Sequence, residues 1–219
     1  LSKIKKFKKI YLIDNLISSK INSLLNIKKD KILFKNIDVS KIGSLNSIKN
    51  IDTIIHCASL TNAEGSFKIK KLMYKNNVNC MKNIINYCIK KKINLLHLSS
   101  TSVYGSQESI VYEDNKKFIN PQSPYAKIKI LEEKLLRKYN KKLKFISLRL
   151  GTIAGVSPGM RFHTAVNKFC LNASMNEKIN VYQTAYNQYR PYLSLKTALD
   201  CFKFLMNKKV YNNNTYNLL

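Results

Sequence analysis

The sequence predicts an α/β fold built on a doubly wound parallel sheet, and two observations predict it. Short, continuous apolar runs alternate with longer amphipathic stretches through most of the chain. This is the pattern of strands that are buried on both faces and of the helices that cover them. Polar residues also follow the end of each apolar run, which is where such sheets bind their ligands.

The order of the elements follows from the same pattern. Alternating strands and helices imply parallel neighbours that are joined by right-handed crossovers. The predicted strands cover residues 10–13, 31–34, 51–56, 93–99 and 143–150. The predicted helices lie near residues 18–25, 67–91, 124–139 and 194–206, with a further amphipathic helix following residues 156–167 and a last strand over 215–219.

The composition argues against two classes of function. Lys and Arg number 39 against 12 Asp and Glu, a formal net charge of +27, which would suit a nucleic-acid binder. Only four of these basic residues are Arg, however, and nucleic-acid surfaces favour Arg for its bidentate contacts. The lysines are spread along nearly every segment, so we expect no nucleic-acid function. The chain has no run of 18 apolar residues, so we also expect no membrane span.

The cysteines predict a reducing compartment. They lie in apolar or helical settings and form no C-x-x-C pair, so they resemble reduced core residues of a cytoplasmic protein. The same spacing provides no ligand cluster for zinc or another metal. The five cysteines are Cys57, Cys80, Cys88, Cys170 and Cys201.

The strongest functional signal lies in residues 95–130. Ser123 and Pro124 are typical of a helix start, since Ser caps free N–H groups and Pro tolerates the first helical position. Tyr125 then falls in the first turn, and Lys129 lies four residues later on the same face. The positive end of the helix dipole and the nearby ammonium both favour a phenolate. Tyr125 can therefore act as a general base beside Ser100, at the end of the preceding strand.

These motifs resemble those of a known family. The pattern S-S-x-x-V-Y-G is followed about twenty residues later by P-x-S-P-Y-x-x-x-K. Together they resemble the extended short-chain dehydrogenase/reductase family, and within it the NAD-dependent epimerase/dehydratase group that acts on nucleotide sugars. The resemblance implies a Rossmann-like, NAD-binding domain over residues 1–150 and part of a small substrate-binding lobe over 151–219. It also implies Ser100, Tyr125 and Lys129 as the catalytic residues.

The expected contacts with NAD lie at the strand ends. Asp14 follows the first apolar run, where a carboxylate can accept from both ribose hydroxyls and would repel the 2′-phosphate of NADP. His56 is expected to pack rather than to catalyse, and an Asn of the pair 76–77 is expected to tie down the loops beneath the nicotinamide. The resemblance extends the cofactor set to Asn15, Asp38, Val39, Cys57, Ala58, Ser59, Asn76, Asn77 and Ser99, together with Tyr125 and Lys129.

One expected feature is missing. The glycine fingerprint that cradles the pyrophosphate should lie about twenty residues before the ribose-binding acid. Only 13 residues precede Asp14, and none of them is Gly. We therefore expect the chain to lack the first strand, glycine-rich turn and first helix of the family, and to retain no NAD by itself.

The expected substrate contacts come after residue 150. Thr152 lies in LRLGTIAG, which resembles L-R-x-x-N-x-x-G with Thr where Asn is more common. Arg161 and Asn167 are candidates for contact with a sugar diphosphate. Arg190 lies in YRPYL, which resembles R-[DP]-[YF]-[IV], and is expected to clamp the nucleotide diphosphate with its bidentate guanidinium.

The function implied by the resemblance is that of an NAD-dependent nucleotide-sugar epimerase of the UDP-glucose 4-epimerase type, working through a transient 4-keto sugar. The family's 4,6-dehydratases carry an acid–base pair, commonly Asp-Glu, where this chain has Thr101 and Ser102. A dehydratase, decarboxylase or reductase of the same family remains an alternative, as does a non-catalytic NAD-binding relative. The expected partners are a UDP- or dTDP-sugar and a second copy of the chain, which would dimerise through the helix carrying Tyr125 and the preceding long helix.

Overall fold

The computed structural model describes residues 7–17, 21–24, 31–61, 65–107 and 110–219. Within these ranges the chain has an α/β fold in which all strand pairings are parallel, so the predicted fold class is confirmed. In chain order, the strands and helices are β1 (Ile10–Asp14), β2 (Ile32–Asn36), β3 (Thr53–His56), α1 (Lys70–Lys91), β4 (Asn94–Ser100), α2 (Pro124–Lys138), β5 (Phe145–Leu150), β6 (Thr152–Ala154), α3 (Ala165–Ser174), β7 (Tyr192–Ser194), α4 (Leu195–Lys208) and β8 (Thr215–Leu218).

The central sheet has four strands in the order β3-β4-β5-β8, while β1 pairs with β2 and β6 with β7. Among the described residues β1 makes no hydrogen-bonded pairing with β3, so the predicted sheet is divided at that point.

The core lies on both faces of the central sheet. Successive residues of a strand point to opposite faces, and Leu95 and Leu96 of β4 accordingly belong to different apolar clusters. One cluster joins the sheet to α1 and α2, and the other joins it to α4. All six residues of β5 are buried, as expected of a central strand.

Some predicted elements differ from the structure. The strands β1 and β2 are not buried on both faces, and Phe34 of β2 is 38% exposed, because this pair is separated from the central sheet. Of the predicted helix over 18–25, the described residues contain only a 3₁₀ turn at Ile21–Leu24; residues 18–20 and 25 lie outside them. Strands β6 and β7 were not predicted, because three residues are too few to give an apolar pattern. No helix among the described residues is both long and apolar enough to cross a membrane.

Candidate active site

The first turn of α2 positions Tyr125. Ser123 has extended backbone angles, and its Oγ accepts a hydrogen bond of 3.1 Å from the backbone N–H of Ala126. Pro124 occupies the first helical position, so the predicted Ser-Pro helix start is confirmed. Tyr125 is half-buried at the positive end of the helix. Lys129 lies one turn later, with its Nζ 5.7 Å from the centroid of the Tyr125 ring.

The ammonium of Lys129 is buried, with 3% of the side chain exposed. Its Nζ donates to the backbone carbonyl of Leu98 at 3.0 Å and to Oε2 of Glu132 at 2.8 Å. Burial alone would lower the pKa of Lys129, but the carboxylate of Glu132 raises it above its ordinary value. The lysine beside Tyr125 is therefore fully charged at neutral pH.

Glu132 connects this lysine to the central sheet. Its Oε2 also lies 3.0 Å from Nε2 of His97 on β4, and Nδ1 of His97 lies 2.8 Å from Oγ of Ser147 on β5. A carboxylate can only accept, so Nε2 of His97 carries the proton and Nδ1 accepts from Ser147. Burial alone would raise the pKa of Glu132, but Lys129 and His97 hold it at about 2.

His56 lies next to this group. It pairs with His97 in the register of β3 and β4, and the two ring centroids are 6.1 Å apart. His56 is buried, and neither of its ring nitrogens has a hydrogen-bond partner among the described residues. Burial lowers the pKa of His56 to about 3, so the ring is neutral at physiological pH.

A second buried network binds α2 to β5. The guanidinium of Arg149 makes a two-pronged contact with the carboxylate of Glu133, at 2.9 Å and 2.7 Å. Oγ of Ser99 donates to the same carboxylate at 2.6 Å, and Arg149 also donates to the hydroxyl of Tyr104 at 2.7 Å. Ser99, which we predicted as a cofactor contact, is thus engaged with Glu133 in this structure.

Ser100 lies where β4 turns into a 3₁₀ helix at Thr101–Tyr104. Its Oγ accepts a hydrogen bond of 3.2 Å from the backbone N–H of Ser102, which fixes the turn. Thr101 donates its hydroxyl to the carbonyl of Leu150 at 3.2 Å. Gly105 ends the turn at a φ of 65°, where a Cβ would lie 2.3 Å from the carbonyl oxygen of Asn120. Glycine is therefore required where the loop leaves the site.

A pocket of about 390 Å³ opens beyond the ends of β1 and β3. Eight of the predicted cofactor residues line it, and so does Arg161, which we predicted as a substrate contact. Cys57, which the sequence predicted as a core residue, is instead an exposed cysteine in the pocket wall. The eight residues are Asp14, Asn15, Asp38, Val39, Cys57, Ala58, Ser59 and Asn76.

The two acids of this pocket are held by their own turns. Asp14 accepts a hydrogen bond of 2.6 Å from the backbone N–H of Leu16. Asp38 accepts from the hydroxyl of Ser40 at 2.6 Å and from its backbone N–H at 2.9 Å. The Ser40 hydroxyl lowers the pKa of Asp38, although burial opposes it. Both carboxylates are thus fixed at the rim of the pocket.

Asn77 connects α1 to the loop that follows β3. It is buried, its Oδ1 accepts from the backbone N–H of Leu60 at 2.9 Å, and its Nδ2 donates to the carbonyl of the same residue at 3.0 Å. Asn76 donates to Oδ1 of Asn77 at 3.1 Å and itself lines the pocket. The Asn pair thereby holds the loop containing Ala58 and Ser59.

The predicted substrate residues are not gathered at one place. Asn167 is buried and donates to the carbonyl of Arg161 at 3.0 Å, so it holds the segment before α3. Thr152 is exposed on β6, where its backbone N–H donates to the carbonyl of Pro191 at 2.9 Å. Arg190 is exposed and contacts Gln188, and it does not line the pocket that contains Arg161.

The sequence reasoning missed several residues of the site. His163 lines the pocket beside Arg161, and nothing in its sequence neighbourhood pointed there. Glu132 lies three residues after Lys129, a spacing that brings two side chains together on a helix. That signal was present, but in a chain with so many lysines it is typical of an ordinary surface pair.

Comparisons with known proteins agree with this architecture. The model of the "NAD dependent epimerase/dehydratase family" matches residues 8–218. A dTDP-D-glucose 4,6-dehydratase of Dictyostelium discoideum is 30% identical over 234 aligned residues, covering 98% of this chain and 53% of that protein. An ADP-L-glycero-D-manno-heptose-6-epimerase of Brachyspira hyodysenteriae is 27% identical over 206 residues, covering 89% and 63%.

A solved structure shows the same fold. The UDP-glucuronic acid 4-epimerase of Bacillus cereus, crystallised with UDP-glucuronic acid and NAD, superposes with a TM-score of 0.83 at 21% identity, covering 96% of this chain and 69% of that one. The chain spans about half to two thirds of the length of the two curated relatives. Since the family model matches nearly all of it, the chain belongs to the NAD-dependent epimerase/dehydratase family.

Proposed function

We propose that this chain is part of an NAD-dependent nucleotide-sugar epimerase of the UDP-glucose 4-epimerase type. The observation that carries the proposal is the pairing of Tyr125 with a buried, charged Lys129 in the first turns of α2. Ser100 lies at the end of the neighbouring strand β4, which packs against α2. A tyrosine base, a cation that favours its phenolate and a hydroxyl are the groups needed to oxidise a sugar alcohol reversibly.

The pocket beyond β1 and β3 fits a dinucleotide. It has acids at two strand ends for ribose hydroxyls and the adenine edge, and the small residues Ala58 and Ser59 let a ligand approach the backbone. The residues that would hold NAD are Asp14, Asn15, Asp38, Val39, Cys57, Ala58, Ser59, Asn76 and Asn77, with Ser99, Tyr125 and Lys129 towards the nicotinamide. When bound, NAD would supply a hydride acceptor that returns the hydride to the same carbon.

The chain's own residues would move the proton and hold the sugar. Tyr125 as phenolate would take the proton of the sugar 4-hydroxyl and give it back after the ketose has turned over. Ser100 would hydrogen-bond to the 4-oxygen, and Lys129 would hold the charge that favours the phenolate. Arg161 and Arg190 would bind the diphosphate, with Thr152 and Asn167 shaping the substrate side.

A 4,6-dehydratase is the second candidate, because a relative that is 30% identical has that activity in its name. Dehydration needs an acid and a base that act on the sugar carbons after C4 has been oxidised. The two residues after Ser100 are Thr101 and Ser102, and neither has a carboxyl group. Thr101 also donates its hydroxyl to Leu150. The epimerase is therefore the better-supported activity.

The test uses the full-length protein that contains this chain, with added NAD. It would be incubated with UDP-glucose, UDP-galactose, UDP-glucuronic acid and dTDP-glucose, and the products separated and identified by NMR. We expect a C4 epimer of at least one UDP-sugar and no 6-deoxy-4-keto product. Accumulation of a 6-deoxy-4-keto sugar from any of these substrates would contradict the epimerase assignment and favour the dehydratase.

We also propose a cytoplasmic homodimer that assembles through α1 and α2. These helices pack side by side on one face of the molecule, and α1 exposes Leu72 and Tyr74 by 52% and 54%. Light scattering of the full-length protein should give twice the mass of one chain, and Tyr74→Glu should shift it towards the monomer. A monomeric wild-type protein at micromolar concentration would refute the dimer.

A further inference from the structure

Lys129 is buried and yet charged, and the proposed function does not explain what keeps it charged. Removing an ammonium from water strongly favours its neutral form. The side chain is 3% exposed, and one of its two hydrogen bonds goes to a backbone carbonyl, which carries no charge. The other goes to Glu132, which is the only carboxylate in contact with Lys129 in the described part of the chain.

The other ionisable groups around Lys129 do not replace this carboxylate. On the strand side, His56 is neutral because burial lowers its pKa, and Cys57 raises the pKa of Lys129 by less than Glu132 does. His97 faces the same oxygen of Glu132 as a hydrogen-bond donor and adds no negative charge. On α2 itself, Tyr125 also raises the pKa of Lys129, but by less than Glu132 does.

The remaining acid on this part of α2 is already engaged. The carboxylate of Glu133 accepts two hydrogen bonds from Arg149 and one from Ser99. Its charge is therefore balanced by a guanidinium of its own. Glu132 is left as the counter-ion of Lys129.

We infer that Glu132 is the positioning residue that keeps Lys129 charged and close to the ring of Tyr125, with His97 and Ser147 fixing its carboxylate. Glu132 acts through Lys129 and not on the substrate. The Ser147–His97–Glu132–Lys129 chain runs from β5 through β4 to α2, and its hydrogen bonds measure 2.8, 3.0 and 2.8 Å. One end of this chain of hydrogen bonds is the buried strand β5 and the other is the lysine, so Glu132 attaches Lys129 to the central sheet. The inference rests on the proposed function only for the consequence that this charge serves Tyr125.

The direct test follows the charge of Lys129 itself, in the full-length protein labelled with ¹³C,¹⁵N-lysine. The Lys129 resonance is assigned by its loss in Lys129→Arg, and its protonation is followed by NMR against pH. We expect the midpoint in Glu132→Gln to fall by about three to five pH units, to near or below neutral pH, because burial is then no longer opposed by a carboxylate. The matched control is Asp200→Asn, which removes an exposed carboxylate that contacts Lys196 and Lys203 and should leave the Lys129 midpoint unchanged. An unchanged Lys129 midpoint in Glu132→Gln would overturn the inference.

A second arm covers the possibility that Glu132→Gln does not fold. In that case Glu132→Gln/Lys129→Met should fold, because the buried ammonium that lacked a counter-ion is gone. Rescue of folding by Lys129→Met supports the inference, and failure of the rescue overturns it, since Glu132 would then stabilise the fold through other contacts. Neither arm depends on turnover, so both give an answer even if the protein proves not to be an epimerase.

The pH dependence of kcat/KM distinguishes loss of the Lys129 charge from a general structural defect. If Glu132 acts by keeping Lys129 charged, Glu132→Gln should move the acid limb of the kcat/KM profile to higher pH, in the same direction as Lys129→Met. Glu132→Asp, which retains the negative charge, should restore most of the native profile. A limb that stays in place or moves to lower pH in folded Glu132→Gln would contradict the inference, because a structural defect lowers the rate without moving the limb.

Discussion

In the proposed mechanism, the chemistry depends on Tyr125. Among the described residues around Ser100 and Lys129 it is the group suited to take a hydroxyl proton, since the nearby acids Glu132 and Glu133 are held in buried ion pairs. We predict that Tyr125→Phe lowers kcat by about 10²–10⁴-fold, the range lost with a general base. Ser100→Ala should cost less, because in the proposed mechanism that hydroxyl orients the substrate and carries no charge. Rates are compared in the full-length protein with saturating NAD, and a fully active Tyr125→Phe would remove Tyr125 from the mechanism.

His56 makes a separate prediction about stability at acidic pH. Its folded-state pKa of about 3 lies below the ordinary value of 6.5, so between these values the unfolded chain binds a proton that the folded chain does not. Stability should therefore fall as pH decreases from 6.5 towards 3, by about 2 kcal/mol at pH 5. Protonation of Glu132 lowers the stability further only at more acidic pH, between about 4.5 and 2.

The measurement is urea unfolding of the wild type and of His56→Leu at several pH values. Leu has a similar size and no proton to bind, so the loss of stability between pH 7 and 5 should be smaller in the variant by about the same 2 kcal/mol. Parallel pH curves for the two proteins would mean that His56 is not the group that titrates.

At the scale of elements, α2 is attached to the sheet by the buried pair of Glu133 and Arg149. Arg149→Met leaves a buried carboxylate without its cation, a change that typically costs about 3–5 kcal/mol. Arg149→Met/Glu133→Leu should recover much of that loss, since no charge is then left behind. Arg137→Met is the matched control: this Arg is half-exposed and 3.8 Å from Glu133, so its loss should cost no more than about 1 kcal/mol. Thermal unfolding of the three variants tests the ranking, and equal losses for Arg149→Met and Arg137→Met would contradict it.

The elements differ in how much the sequence could predict about them. The start of α2 was predictable because Ser123 and Pro124 act locally, on the turn that they themselves begin. The burial of Glu132 was not, because it depends on His97 and Ser147, which other strands bring to the same place. The separation of β1 from β3 was likewise invisible, since strand pairing is a property of the assembled sheet and not of either apolar run.

At the scale of the whole molecule, the fold brings distant residues together in a way that the sequence partly foretold. The strand-end rule led to Asp14, Asp38 and Ala58, which line one pocket although 44 positions separate the first from the last. It did not lead to Arg161, whose place in the same pocket depends on the segment between β6 and α3. That segment has no apolar periodicity, so only the folded structure shows where it lies.

The central claim is that the full-length protein inverts a sugar carbon without removing water. The measurement that tests it most directly is the reaction of the preferred nucleotide sugar in D₂O, followed by NMR and mass spectrometry of the product. In the proposed mechanism, Tyr125 and Ser100 would exchange protons only with oxygen, and no proton would be exchanged at a sugar carbon. The account therefore predicts a C4 epimer with no deuterium bound to carbon. A product that has lost water and carries deuterium at C5 would contradict it, since that label requires an acid–base pair acting on the sugar carbons.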